Sequence, residues 1–313
     1  MNGFLKARWL MVEVTSGMLA DFVCQKFGGE LEYSGPEFVL SRPTPLGDLA
    51  ANALSFCNGV RFTPPSEPVA VICGRETLCE GGADALVLRV DNPRLVFGKA
   101  VEHFFVPKPK TFVHPTAVIE SSVMLGAEVS IGAHSVIGEG CHIGARSRIG
   151  SNVVLGPGVR VGEDCAILSG SVIGEAGFGV EFDAEGHSFR LPHIGGVILE
   201  DRVQVGSLCS IAAGTLSPTI LREDVQLDNK VHVAHNVDVG ARSLITACAE
   251  ISGSVTIGPD CWLGPNSSVI NKINIGRNSL IGLGAVVTKD VGDNVVVAGS
   301  PARVLRFNPE PAR

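Results

Sequence analysis

Aromatic side chains are scarce in this sequence, with 14 Phe, two Trp and one Tyr in 313 residues. A core of this size must then be built from Val, Ile, Leu, Ala and Cys. Basic residues are also short: 25 Lys and Arg face 32 Asp and Glu, for a net charge of −7. That balance speaks against a general nucleic-acid binder, which needs a basic face to displace counterions; a local basic patch remains near Arg303 and Arg306. No stretch approaches the ~20 uninterrupted apolar residues of a membrane-crossing helix, so no membrane span is expected. The opening MNGFLKARWLMVEVTSG sets Lys6 and Arg8 before a short apolar run that Glu13 ends. No clear cleavage site follows, and a signal peptide is not expected. The nine cysteines form no CxxC pair and no zinc-ligand spacing. An odd, scattered set reads as reduced thiols, which places the chain in the cytoplasm.

Glycine, in contrast, is abundant at 38 residues, and it is periodic. It recurs every sixth residue through Gly126, Gly132, Gly138, Gly144, Gly150, Gly156 and Gly162; Leu168 takes one slot and Gly174 resumes the phase. An aliphatic residue precedes nearly every slot, as in Leu125, Ile131, Ile137, Ile143 and Ile149. A mostly small residue follows three positions after each slot, as in Ser135, Cys141, Ser147 and Cys165. A six-residue period marks a parallel β-helix, in which three hexapeptides make a triangular coil of about 18 residues. Aliphatics then point inward and stack at about 4.8 Å per coil. Glycine is expected at the corners, where backbone angles disfavour a Cβ. Cys141, Cys165, Cys209 and Cys261 occupy the small inward slot and read as fillers.

Two stretches break the phase. EAGFGVEFDAEGHSFRLPHIGG, residues 175–196, is too long and glycine-rich for a coil and is expected to project as a loop, a common carrier of function. AAGTLSPT, residues 212–219, shifts the register by four. The repeat then runs on and closes near Gly299-Ser300-Pro301. Residues before about 110 lack the period. SGMLADFVCQKFGG reads as a helix that Ser16 can cap, with Leu19, Phe22, Val23 and Phe27 on one face. VAVIC and ALVLRV read as strands, and DNPRLVFGKAVEHFF as a helix entered through Asn92-Pro93. The expected organisation is an extension over 1–14, a small α/β domain over 15–110, a β-helix over 111–300 carrying the 175–196 loop, and a short tail over 301–313. The proline-rich VPKPKTFVHP joins domain to helix.

One histidine stands out. In VHVAHNVDVG, residues 231–240, Ala234 takes the glycine slot and His235 follows it at a corner. An imidazole there can act as a base near neutral pH. One coil of about 18 residues further on lies Gly253, whose bare backbone N–H can approach a carbonyl oxygen closely. A base beside a free N–H donor suits a reaction in which a proton is removed as an oxyanion develops.

Hexapeptide β-helices of this kind resemble a superfamily of trimeric acyltransferases whose coils wind left-handed. VIGEAGFGV, LPHIGGVILEDRVQVGS and VQLDNKVHVAHNVDVG, with ALSFCNGVRF and VDNPRLVFGKAVEHFF in the head, narrow the match. They resemble the UDP-3-O-(3-hydroxyacyl)glucosamine N-acyltransferase family of lipid A synthesis, over roughly residues 15–300. That resemblance implies a mainly β fold with a left-handed parallel β-helix after a small α/β domain. It implies His235 as general base and Gly253 as oxyanion donor. Phe56 and Phe62 would stack on the uracil, Phe62 standing where a tyrosine is usual. Asp228 and Asn229 would hold the acceptor sugar or orient the histidine, and His232 would line the pocket. Lys272, where the family has a second histidine, is a candidate for a phosphate or phosphopantetheine. The implied partners are a UDP-amino sugar, an acyl thioester on acyl carrier protein or coenzyme A, and two further copies of the chain. No permanently bound cofactor and no metal are implied. Ala212 and Ala213 replace a usual Asp-Arg pair, and the tail is shorter than the helical ends of some members.

Three other readings stay open on sequence. An acetyl-CoA-dependent N-acetyltransferase of another nucleotide amino sugar shares the GLGAVVTKDVGDNVVVAGSPARVLR ending. A zinc hydro-lyase of the carbonic anhydrase type needs three converging histidines, of which His232 and His235 supply two. A non-catalytic scaffold needs none.

Overall fold

The structure, a computed structural model, describes residues 13–32, 36–80, 82, 84–107 and 111–309. Most of the expected 1–14 extension, Lys108–Lys110 of the proline-rich junction and the last four residues of the tail lie outside these. The chain divides into two compact units, Met1–Pro109 and Lys110–Arg313.

In the first unit a five-stranded sheet carries Val69–Gly74 at its centre, flanked in parallel by Ala53–Cys57 and Ala85–Val90. VAVIC is a strand buried on both faces, as its unbroken apolar run requires. Two helices, α1 (Ser16–Phe27) and α2 (Pro93–Phe104), pack in one core with Leu54, Ala70, Ile72, Leu86 and Leu88. Val69, Val71, Cys73, Ala85 and Val87 form a second, smaller core. Helix α1 is capped by Thr15 rather than by Ser16: the Thr15 hydroxyl accepts the Met18 N–H at 3.2 Å. Ser16 Oγ instead accepts the Phe38 N–H, tying the helix start to the neighbouring strand. At its far end Gly28 takes the left-handed conformation, φ 61°, that closes a helix most cheaply. Helix α2 starts as its sequence requires, Asn92 accepting the Leu95 N–H ahead of Pro93.

The second unit is a left-handed parallel β-helix with three faces. Strands of mostly two residues stack in register: Val136 and Ile137 pair with Val154 and Leu155, and these with Val172 and Ile173. The second residue of each strand points inward, so Ile131, Ile137, Ile143, Leu155 and Val161 are buried in one continuous aliphatic core. The first points outward. Eighteen residues separate Ile143 from its partner Val161, but thirty-eight separate Val161 from Leu199. The extra length is the projecting loop, a hairpin in which Val180–Phe182 pairs with Ser188–Arg190. Twenty-two separate Val205 from Leu227, which is the four-residue slip. Beyond Pro301 the tail adds Arg303–Phe307 as an antiparallel strand on Val295–Ala298.

The reason for the glycine period needs correction. Left-handed backbone does recur every six residues, but two positions after the slot and mostly on residues other than glycine: Glu128, His134, Arg146, Asn152 and Asp164 all have φ of 55–60°. The slot glycines are fixed by crowding between coils. A Cβ on Gly126 would lie 2.5 Å from the Ala145 nitrogen, and one on Gly132 2.6 Å from the Gly150 carbonyl carbon. The small inward slot is also more than filler. Ser135 and Ser147 donate to the carbonyls of Gly150 and Gly162 at 2.7 Å, and Cys141 and Cys261 make the same bond to Gly156 and Gly276 at 3.1 Å. Ser and Cys interchange because both are small donors reaching the next coil's carbonyl. Burial pushes the Cys165 and Cys261 thiols up to about 11, which keeps them protonated donors.

Candidate active site

The corner after strand His232–Val233 is built by Ala234, His235 and Asn236. Asn236 takes the left-handed position, φ 59°, which asparagine tolerates better than most side chains. The chain then turns into the next strand and leaves His235 on the outside of the coil. Gly253 lies directly beneath it: a Cβ on Gly253 would sit 2.7 Å from both Cε1 and Nε2 of His235. Any side chain at 253 would displace the imidazole. The pairing read from coil length is therefore a direct contact, locked further by the Ser254 N–H donating to the His235 carbonyl at 2.9 Å.

The proton on His235 is assigned by its neighbours. Asn236 Oδ1 accepts from the Thr215 N–H (3.1 Å) and hydroxyl (2.9 Å). Asn236 Nδ2 donates to the Ser217 carbonyl (2.8 Å) and Oγ (3.1 Å). Reversing the amide would set donor against donor, so its orientation is fixed. His235 Nδ1 lies 3.0 Å from that same Oδ1 and must donate to it. The neutral ring thus carries its proton on Nδ1 and presents a lone pair at Nε2, on the Gly253 side. Thr215 and Ser217 both belong to the four-residue slip, so the irregularity that interrupts the repeat is what holds the histidine's partner.

The N–H at the Gly253 position has a general property. In the regular two-residue coils, the residue after the glycine slot makes no backbone hydrogen bond through its N–H, which is why Pro157, Pro259 and Pro265 are tolerated there. Several such groups are taken by a side-chain oxygen one coil on: Glu163 by Asp201 (2.8 Å), Ser207 by Asn229 (2.7 Å), Arg277 by Asp293 (2.9 Å). The Gly253 N–H has no acceptor among the described residues. It is a free donor beside an imidazole lone pair, the arrangement needed to hold a developing oxyanion while a base removes a proton.

These groups open into a pocket of about 440 Å³. His232 and Lys272 line it, as does Ala212, which pairs in register with Glu175 at the root of the projecting loop. The hairpin contributes Phe178 and Arg190, whose guanidinium lies 5.2 Å from the Phe178 ring centroid. Glu250 and Ser252, hydrogen-bonded at 3.1 Å, complete a wall with both signs of charge. A second imidazole, missed in the sequence, stands edge-on to the first: the His193 and His235 centroids are 5.2 Å apart. Its Nδ1 donates to the Leu191 carbonyl at 2.8 Å, and its buried Nε2 has no partner among the described residues. The only cue to it was its place inside the loop that breaks the repeat.

Asp228 and Asn229 are not brought to His235. They turn the preceding corner of the same coil, where Asp228 accepts the Asn229 and Ala247 N–H groups and Asn229 caps Ser207. The side chain that contacts His235 Nδ1 is Asn236. In the head, Phe56 is half-buried against Phe97 of α2, at 4.9 Å between centroids, while Phe62 packs on the other core of that unit. Among the described residues, three metal-ligand groups come together at Asp183, Glu185 and His187, exposed on the hairpin and outside the pocket lining. No helix among them is long and apolar enough to cross a membrane, and all nine cysteines are free.

Comparison with known proteins matches this architecture. The family model for bacterial transferase hexapeptides (six repeats) fits residues 140–175 and 254–289, and that for the hexapeptide repeat of succinyl-transferase fits 117–155. The UDP-3-O-acylglucosamine N-acyltransferase of Campylobacter lari is 34% identical over 88% of this chain and 91% of its own length. That of Neisseria meningitidis serogroup B is 38% identical over 75% of this chain and 72% of its own. Among solved structures, the UDP-N-acetylglucosamine O-acyltransferase of Moraxella catarrhalis superposes with a TM-score of 0.58 at 26% identity, covering 63% of this chain and 75% of that one. A hexapeptide β-helix in common with these enzymes, and 34–38% identity over most of the chain, lead to one conclusion: the chain is an acyltransferase and belongs to the UDP-3-O-acylglucosamine N-acyltransferase family.

Proposed function

We propose that this chain transfers an acyl group from a thioester to the amine of UDP-3-O-acylglucosamine, a step of lipid A synthesis, with His235 as general base. The carrying observation is the contact between His235 and Gly253, with Nδ1 of His235 committed to Asn236. The sugar amine attacks the thioester carbonyl carbon while His235 Nε2 takes its proton. The carbonyl oxygen becomes an oxyanion held by the Gly253 N–H. Collapse breaks the C–S bond, and the imidazolium returns the proton to the departing thiolate, leaving an amide and a free thiol carrier. Asn236 keeps the ring in place through both proton transfers, as a hydrogen-bond acceptor for Nδ1–H in either charge state.

The donor in this reading is a 3-hydroxyacyl group on acyl carrier protein. Lys272, exposed at the pocket, and Arg190 supply cationic side chains for its phosphopantetheine phosphate. His232 forms part of the pocket wall. In the head, Phe56 and Phe62 offer partly accessible rings for the uracil. The working unit is a cytoplasmic homotrimer in which a neighbouring copy closes the open pocket. Outward apolar residues such as Val118, Val136, Leu244, Trp262 and Leu280 support burial of these faces. Acetyl-CoA is the competing donor, favoured by Ala212 where a charged pair is usual. Purified chain supplied with UDP-3-O-acylglucosamine and either hydroxyacyl carrier protein or acetyl-CoA decides between them. Mass spectrometry is expected to find the hydroxyacyl amide; turnover with acetyl-CoA alone would overturn the donor assignment.

A further inference from the structure

The pocket holds an asparagine that neither the fold nor the base–oxyanion pair uses. Asn271 lies one coil beyond Gly253, as the Lys272 N–H donating to the Gly253 carbonyl at 3.0 Å shows. It lines the pocket and makes no side-chain hydrogen bond among the described residues. Its position in the coil is the one from which Asp201, Asn229 and Asp293 reach back and cap the N–H of the preceding coil, at 2.7–2.9 Å. Ser169 does the same to Ser151 at 3.1 Å. A side chain at 271 can therefore reach whatever sits on the Gly253 N–H. In three of those corners the capping group is a carboxylate or hydroxyl oxygen, and in the fourth Asn229 turns its amide oxygen to the N–H, so all four sites are filled. At 271 the group is a carboxamide that leaves the Gly253 N–H open.

We infer that Asn271 is a second oxyanion donor: its Nδ2–H hydrogen-bonds the thioester carbonyl oxygen alongside the Gly253 N–H, as that oxygen gains charge. This rests on the reading of Gly253 given above. Carboxamide is the side chain the site needs at this position. It donates, it carries no charge to repel the oxyanion, and it is long enough to reach. Aspartate would fit equally well but would accept the Gly253 N–H itself, as Asp201 and Asp293 accept theirs. An acid at 271 could only accept and would plug the site, whereas an amide, free to accept as Asn229 does, can also turn its Nδ2–H to a bound oxyanion.

Two variants test this, each measured for kcat and for KM of the sugar nucleotide with the folded state checked by circular dichroism. Both are expected to fold, since Asn271 is exposed and bonds nothing among the described residues. Asn271→Ala is expected to lose about 10-fold or more in kcat, the lower range for one oxyanion donor, with KM nearly unchanged. Asn271→Asp is expected to lose at least a further ~10-fold, because it removes one donor and occupies the other. Full activity of Asn271→Ala with a collapse of Asn271→Asp would overturn the donor role of Asn271 and leave the Gly253 site standing. Wild-type rates in both variants would overturn both. A loss confined to KM, or an Asn271→Asp no slower than Asn271→Ala, would also overturn the inference.

Discussion

Along one face of the β-helix, the outward residues of successive coils read Val118, Val136, Val154 and Val172, and then Ser210, His232, Glu250 and Ser268. The inward residues beside them do not change in kind: Ile119, Ile137, Leu155, Ile173, then Ile211, Val233, Ile251, Val269. The core and the pocket lining thus draw on alternate residues of the same strands, Ser210, His232 and Glu250 facing the pocket, and one set can vary without the other. The change in the outward column falls where the repeat is broken. The projecting hairpin leaves the coil just after Val172, and the four-residue slip follows Ser210. The plain coils show what the repeat needs; the interrupted coils show what has been added to it.

The largest effect expected in the interrupted coils is on chemistry alone. His235→Ala should lower kcat by about 10²–10⁴-fold, the usual worth of a general base, with the melting temperature little changed. The same substitution at exposed His142, in the plain coils, should leave transfer at the wild-type rate. A parallel loss in both would erase the distinction between the two regions.

Glycine substitutions divide the regions in the opposite sense. Gly132→Ala drives a methyl into the backbone of the next coil and should destabilise by about 1–3 kcal/mol, as overpacking does. Gly253→Ala meets the His235 ring first, a side chain that can shift, so its main cost should be catalytic, with a smaller fall in melting temperature. Thermal unfolding and steady-state rates on the two variants make the test; a larger stability loss at 253 than at 132 would contradict it.

A smaller effect is expected at Asn236. Asn236→Gly keeps the left-handed turn but removes the hydrogen-bond acceptor for His235 and the bonds to Thr215 and Ser217, so it should fold with a lowered melting temperature and lose about 10-fold in kcat, within the range for disturbing an acid–base group. An unchanged rate would make the amide a turn residue only.

The period of six told where the core lies, because burial of every second strand residue leaves a pattern in one dimension. It misled on glycine, because the crowding at Gly126 and Gly132 comes from a coil some 18 residues away, whereas φ is a local property and the first explanation to hand. His235 and Gly253 could be paired from coil length. Thr215 and Ser217 could not be assigned to Asn236, because a register slip shows that residues are extra without showing where they fold. Asp228 and Asn229 stand one six-residue step before His235, which in a triangular coil is another corner, so spacing alone does not say what they face. His193 approaches His235 through a loop whose path no period constrains.

That His235 offers a proton-free Nε2, because Thr215 and Ser217 fix the Asn236 amide, is the claim on which catalysis by this corner depends. Nitrogen-15 NMR of the histidine-labelled chain, with His235 assigned by loss of its signals in His235→Ala, reads the tautomer directly. The neutral ring should show a protonated Nδ1 and an unprotonated Nε2, with that preference lost in Asn236→Gly. A neutral His235 protonated at Nε2 in the unaltered chain would contradict it.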